Sequence, residues 1–128
     1  VEFGSNLLGY KMSRGDMATP EGKYEMTKNL SGGSTKYHKA LMINYPNKID
    51  IQEFNERIRN GKLPADARIG DMIEIHGDGG KGANWTQGCV ALKNEDMDLL
   101  FKYASKGTPV TIIGSTLTLD EFFSSRSK

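Results

Sequence analysis

The stretch Ile73-Glu74-Ile75-His76-Gly77-Asp78, followed after a glycine-rich loop by Asn84-Trp85-Thr86-Gln87-Gly88-Cys89-Val90-Ala91-Leu92, decides how this chain is read. Residues 71–76 predict a strand that ends at His76 and breaks at Gly77. Cys89 is the single cysteine and His76 one of two histidines. A lone cysteine forms no internal disulfide. Beside Gly88, downstream of a strand ending in His-Gly, it reads as a nucleophile with a base nearby. Each residue alone has a plainer reading, Cys89 as a small buried hydrophobe and His76 as a hydrogen-bonded structural histidine. The run Gly77-Asp78-Gly79-Gly80-Lys81-Gly82 lacks the Gly-Lys-Ser/Thr ending of a phosphate loop and predicts a flexible loop.

On the N-terminal side, residues 15–22 predict a turn and 23–27 a strand. Residues 38–45 predict a second strand, with Leu41, Ile43 and Tyr45 on one face and Pro46 closing it. Asp50, with Glu53 three residues on, is the expected N-cap of a helix whose stripe is Ile51, Phe54 and Ile58, stopped by Gly61. Asn94 is the expected cap of a second helix carrying Met97, Leu100, Phe101 and Ala104. Residues 110–113 predict a final buried strand. Thr118 with Glu121 predicts a capping box for a short terminal helix. The six methionines show no stripe and are expected as core filler. The order of elements predicts a mainly β, α+β domain with short helices packed on a sheet.

At 128 residues the chain makes one domain, 1–128. Seventeen Lys and Arg against sixteen Asp and Glu leave +1, which gives no electrostatic case for nucleic acid or an anionic membrane. The apolar runs are too short for a membrane span. One Cys and two His without close spacing predict no metal site. No signal peptide is visible and Val1 is not an initiator residue, so a processed or trimmed chain is expected.

A thiol transfers acyl groups as its thiolate. A neighbouring imidazole takes the proton, and the expected ion pair lowers the thiol pKa from roughly 8.5. Gly88 lets the backbone approach the substrate, and the N–H groups of this turn suit an oxyanion. The imidazole needs a partner to hold its tautomer, and the Gly77 carbonyl, Asp78 and Glu74 are the nearby choices.

At these residues the chain resembles the YkuD-type L,D-transpeptidase domain. The family's His-Gly and Ser/Thr-x-Gly-Cys-hydrophobic motifs match His76-Gly77 and Thr86-Gln87-Gly88-Cys89-Val90. Gly15-Asp16 with Thr19-Pro20-Glu21-Gly22-Lys23-Tyr24, Tyr37-His38 through Tyr45-Pro46-Asn47, Asn94-Glu95-Asp96-Met97 and Gly107-Thr108-Pro109-Val110 extend the likeness over about residues 15 to 113. Gln87 stands where many members have histidine or lysine, and Ala91 where Arg or Asn often follows. The interval from His76 to Cys89 is also short.

The resemblance implies a YkuD-like β-sandwich of mixed sheets with short packed helices, its first β elements partly upstream of this chain. It implies export to the periplasm or outer envelope of a bacterium, peptidoglycan stem peptides as donor and acceptor, and no cofactor. Cys89 would be the nucleophile, His76 the base and later acid, the Gly77 carbonyl its orienter, and the Gly88 and Cys89 N–H groups the oxyanion hole. Tyr37, His38, Trp85, Thr86 and Gln87 are the candidate substrate-binding residues. Each has a packing role as its alternative, and His38 an edge-strand structural role. Lys81 is either a contact to an anionic peptide or a solvated loop lysine. The implied activity is cysteine-dependent L,D-transpeptidation, cross-linking stem peptides or attaching amines or a wall-anchored protein. The alternatives are an L,D-carboxypeptidase or hydrolase that trims stem peptides or releases wall-linked protein, and a non-catalytic wall-binding module.

Overall fold

The structure, a computed structural model, describes residues 1–7, 11–114 and 119–126. Its strands are β1 (Gly22–Ser31), β2 (Lys39–Ile43), β3 (Glu74–His76), β4 (Val90–Ala91) and β5 (Pro109–Ile112). Its helices are α1 (Lys48–Arg59), α2 (Asn94–Tyr103) and α3 (Leu119–Arg126), with a 3₁₀ turn at Gly32–Ser34. The strands form one curled mixed sheet in the order β4-β3-β2-β1-β5. Among the paired strands of the described residues only β3 and β4 run parallel, with Ile75 opposite Val90 and His76 opposite Ala91. The expected mainly β, α+β class is the one observed.

Strand alternation sorts the centre of the sheet into two faces. Leu41, Ile75 and Val90 point into the core, which Tyr24, Met26, Ile43, Tyr45 and Ile73 extend and Met97 and Ala104 close from the α2 side. Glu74, His76 and, in register beside them, Cys89 fall on the other face. The parallel pairing of two short strands therefore sets residues 76 and 89 on one face of neighbouring strands.

Several local expectations need correction. The cap of α1 is Asn47, whose Oδ1 accepts the Asp50 N–H while Asp50 Oδ2 accepts the Asn47 N–H, so Asp50 is the third residue of a reciprocal capping box. None of the side chains of α1 is fully buried, and Ile51 faces solvent. Lys93 caps α2 through its backbone, because the Asn94 Oδ1 is taken by the Asp78 N–H at 2.7 Å. β5 pairs only with β1, at the sheet edge, so its residues alternate between exposed and half-buried instead of being buried throughout. β3 starts at Glu74, not at 71. Of the methionines, Met26 and Met97 are core, whereas Met12 and Met72 are exposed. Thr118 lies outside the described residues.

Residues 2–5 run along the free edge of β4. Glu2 exchanges two backbone hydrogen bonds with Ala91 (2.8 and 2.7 Å), and Phe3 and Ser5 bond to Thr86. The Glu2 carboxylate then receives the N–H groups of Gly80, Lys81 and Gly82 (3.0, 3.2 and 2.7 Å) and the Trp85 indole N–H at 2.9 Å. These bonds hold its pKa down at about 2 against its desolvation. The loop expected to be flexible is thus closed around one carboxylate.

Candidate active site

His76 is completely buried at the end of β3. Its Nδ1 lies 2.7 Å from the Gly77 carbonyl oxygen. A carbonyl only accepts, so Nδ1 carries the proton and Nε2 presents a bare lone pair. Among the described residues, Nε2 has no hydrogen-bond partner. Of the three possible orienters, the structure brings Gly77 to the ring. Tyr37 stacks on the imidazole with centroids 3.5 Å apart and planes 6° from parallel, and Trp85 meets it edge-on at 5.8 Å.

Gly77 has no room for a side chain, since a Cβ there would fall 2.5 Å from Asn94 Oδ1. Gly88, at φ +134°, is equally constrained: a Cβ would meet the Ala18 carbonyl at 3.0 Å and Ile73 Cδ1 at 3.1 Å. This glycine lets the chain bend so that Cys89 enters the sheet beside β3.

The Cys89 sulfur accepts the Glu74 N–H at 3.4 Å, and its S–H donates weakly to the Met72 carbonyl at 3.7 Å. Burial pushes the thiol pKa up, with the Glu74 N–H as the main opposing contribution. Burial likewise pushes His76 down, against the Gly77 hydrogen bond. Both effects favour the uncharged forms. Burial thus works against the ion pair expected from the sequence.

The two turn N–H groups differ. Gly88 N–H is engaged at 3.2 Å by Thr86 Oγ1, which itself donates to the Cys89 carbonyl at 2.6 Å. The Cys89 N–H has no partner among the described residues. Thr86 is 3% exposed, so its hydroxyl braces the loop although the residue borders the cleft.

A cleft of about 630 Å³ opens over the thiol, a size suited to a peptide segment. Tyr37, Trp85, Thr86, Gln87 and Cys89 border it. His38 does not. It follows Tyr37 directly and points the other way, where Asp98 of α2 holds Nε2 at 2.7 Å and Lys39 shares the same oxygen. That correction assigns His38 a structural ion pair. Lys81 lies 3.6 Å above the Trp85 ring, outside the cleft. Tyr24 is core, its hydroxyl donating to Asp50 Oδ1 at 3.1 Å.

Sequence reading missed Lys11, Arg14 and Lys36, which also line the cleft, as does Glu74, considered there only as a partner for the imidazole. Glu74 had a signal, since it precedes His76 by two in a strand and must share its face. The lysines and arginine come from loops and had none. Among the described residues, no group of three or more His, Cys, Asp or Glu is placed to hold a metal, and no helix is long and apolar enough to cross a membrane.

This arrangement has counterparts. The family model for the YkuD L,D-transpeptidase catalytic domain matches residues 1–112. YafK of Escherichia coli (strain K12), whose name assigns it provisionally to the L,D-transpeptidases, is 30% identical over 101 residues. That match covers 79% of this chain and 34% of YafK, so the chain spans about a third of that relative's length. Among solved structures, Bd1075 of Bdellovibrio bacteriovorus superposes with a TM-score of 0.60 at 25% identity, over 92% of this chain and 41% of that one. Pgp2 of Campylobacter jejuni, described as a helical cell shape determining protein, gives 0.61 at 28% identity, over 86% and 36%. With the family model covering nearly the whole chain, and the His-Gly and Gly-Cys motifs set on one sheet face, the chain belongs to the YkuD family of L,D-transpeptidase catalytic domains.

Proposed function

We propose that the chain is a cysteine-dependent L,D-transpeptidase of the bacterial envelope, acting outside the cytoplasm on peptidoglycan stem peptides. The observation that carries this reading is the unpartnered Nε2 of a buried His76 on the same sheet face as Cys89. The thiol turns from the Met72 carbonyl and gives its proton to Nε2. The sulfur attacks the carbonyl between the L-centre of a diaminopimelate and a terminal D-alanine. The carbonyl oxygen takes up negative charge, and the Cys89 N–H is the best-placed donor to it. The C–N bond breaks, His76 returns the proton to the leaving amine, and a thioester remains. An amine of a second stem peptide, or of a wall-attached protein, attacks that thioester. It loses a proton to His76 as the new C–N bond forms and the C–S bond breaks, and the thiol is restored. His76 serves as base and then acid in each half-reaction, which requires it to be neutral at the start.

The test is mass spectrometry of tetrapeptide muropeptides incubated with the protein and with Cys89→Ala, with and without a D-amino acid. Cross-linked dimers or D-amino-acid exchange only with the unaltered protein support transpeptidation. Tripeptide as the sole product would make water the acceptor and the enzyme an L,D-carboxypeptidase. No change with either protein overturns the reading for these substrates.

A further inference from the structure

The cleft holds charged groups that this chemistry does not use. Lys11 is bound to Asp16 at 3.0 Å and Arg14 faces Asp71 at 3.8 Å. Two lining groups of opposite sign are left over, Lys36 and Glu74. Among the described residues neither has a counter-ion within ion-pair distance. Glu74 is only 8% exposed, and its Oε2 is buried without a hydrogen-bond partner among those residues. It shares a face of β3 with His76, and its own N–H bonds the Cys89 sulfur. Lys36 lines the same opening, its ammonium 5.1 Å from the Tyr37 ring that stacks on His76.

A buried carboxyl with an idle acceptor is poorly accommodated until a donor reaches it. Burial raises the Glu74 pKa and the Lys36 charge opposes that rise, so an arriving cation would favour the carboxylate further. One free carboxyl and one free ammonium at the same opening complement a ligand that carries both charges.

We propose that Glu74 and Lys36 bind the zwitterionic head of an amino acid, Glu74 taking its ammonium and Lys36 its carboxylate. Two sources offer that head. One is the D-centre at the end of the diaminopimelate side chain of a stem peptide; the other is a free D-amino acid entering as acceptor. The choice of sources rests on the proposed function, whereas the pairing of charges rests on the cleft alone.

Calorimetric titration of the Cys89→Ala protein tests this without turnover. The ligands are L-alanyl-γ-D-glutamyl-meso-diaminopimelate, the same tripeptide acetylated on its D-centre amine, and D-alanine. Acetylation is expected to weaken tripeptide binding about tenfold or more. Glu74→Gln should weaken the free-amine tripeptide by a similar factor and the acetylated one hardly at all, the coupling expected of two groups in contact. Lys36→Gln should weaken both tripeptides. If D-alanine instead shows the dependence on Glu74 and Lys36, the head belongs to a free amino acid. Equal affinities for acetylated and free tripeptide, together with D-alanine binding that ignores both substitutions, overturn the proposal. The acetylation arm needs no change at Glu74, so misfolding of that variant cannot mimic success. Muropeptide turnover without this charge dependence leaves the transpeptidase reading standing and removes the inference. Charge-dependent binding without turnover does the reverse.

Discussion

Tyr37 lies flat against His76, with ring centroids 3.5 Å apart and planes within 6°. The stack fixes the plane of the imidazole while the Gly77 carbonyl fixes its rotation. A stacked ring contributes about 0.5–1.5 kcal/mol beyond its buried area. Tyr37→Ala should therefore lower kcat/KM by roughly 3- to 10-fold through misorientation of the base. Tyr37→Phe keeps the ring and should stay within about twofold. Steady-state rates on a tetrapeptide donor decide, and equal losses in both variants would assign the effect to the hydroxyl instead.

Burial of the pair sets the expected pH response. The imidazole must be neutral to act as base, and burial holds its pKa below the ordinary 6.5. Acylation of Cys89 should thus persist at mildly acidic pH, with its acid limb below 6.5. Burial raises the thiol pKa above 9.0, so alkylation by iodoacetamide at neutral pH should be slow. Its rate should climb on the alkaline side of 9, the opposite of a primed thiolate. For stability the sign follows from linkage: a histidine depressed in the fold binds protons more readily when unfolded, so its contribution is lost as pH falls from about 6.5 through the folded pKa. A rapid, pH-independent alkylation below pH 7 would contradict this account.

Gly88 combines φ +134° with a carbonyl 3.0 Å from the site of any Cβ. Gly88→Ala should destabilise by about 1–3 kcal/mol and displace the thiol. Thermal denaturation together with acylation rates should show both losses. A variant of unchanged Tm and rate would mean that the turn adjusts freely.

Glu2 binds three consecutive loop N–H groups and the Trp85 indole. Glu2→Gln retains one acceptor oxygen and loses the charge, so the amides of Gly80, Lys81 and Gly82 should exchange with solvent faster than in the unaltered protein. Amides of β2 should be unaffected. Hydrogen exchange read by NMR provides the comparison, and unchanged protection at 80–82 would show that the loop holds itself.

Leu41 lies fully buried at the centre of the sheet, opposite Ile75. Leu41→Ala should cost about 2–5 kcal/mol, measurable by urea denaturation. A loss under about 1 kcal/mol would mean that the surrounding side chains collapse into the space.

The placing of His76 and Cys89 on neighbouring strand ends was legible in the sequence because local signals surround them. A strand ending in His-Gly and a Gly-Cys before a second apolar run specify two strand ends, and parallel pairing joins them. Helix positions were legible too, from apolar spacing. Their caps were not: Asn47 and Asp50 satisfy each other, a reciprocity that marking one polar residue overlooks, and Asn94 is drawn off by Asp78. The rest of the site depends on loops that meet only in three dimensions. No pattern links Glu2 to residues 80–85, or Lys11, Arg14 and Lys36 to Cys89. The two readings of His38 stayed open because a strand-edge position says nothing of Asp98, sixty residues away. The resting charge of the thiol also depends on burial, which sequence does not state.

Trp85 is the chain's single tryptophan, and its edge faces His76 at 5.8 Å. Its near-ultraviolet emission therefore comes from one known place, against the proposed base. An imidazolium quenches indole fluorescence more strongly than a neutral ring does. The protein thus carries an intrinsic optical gauge of whether its base holds one proton or two, readable in a stopped-flow cuvette with no label attached.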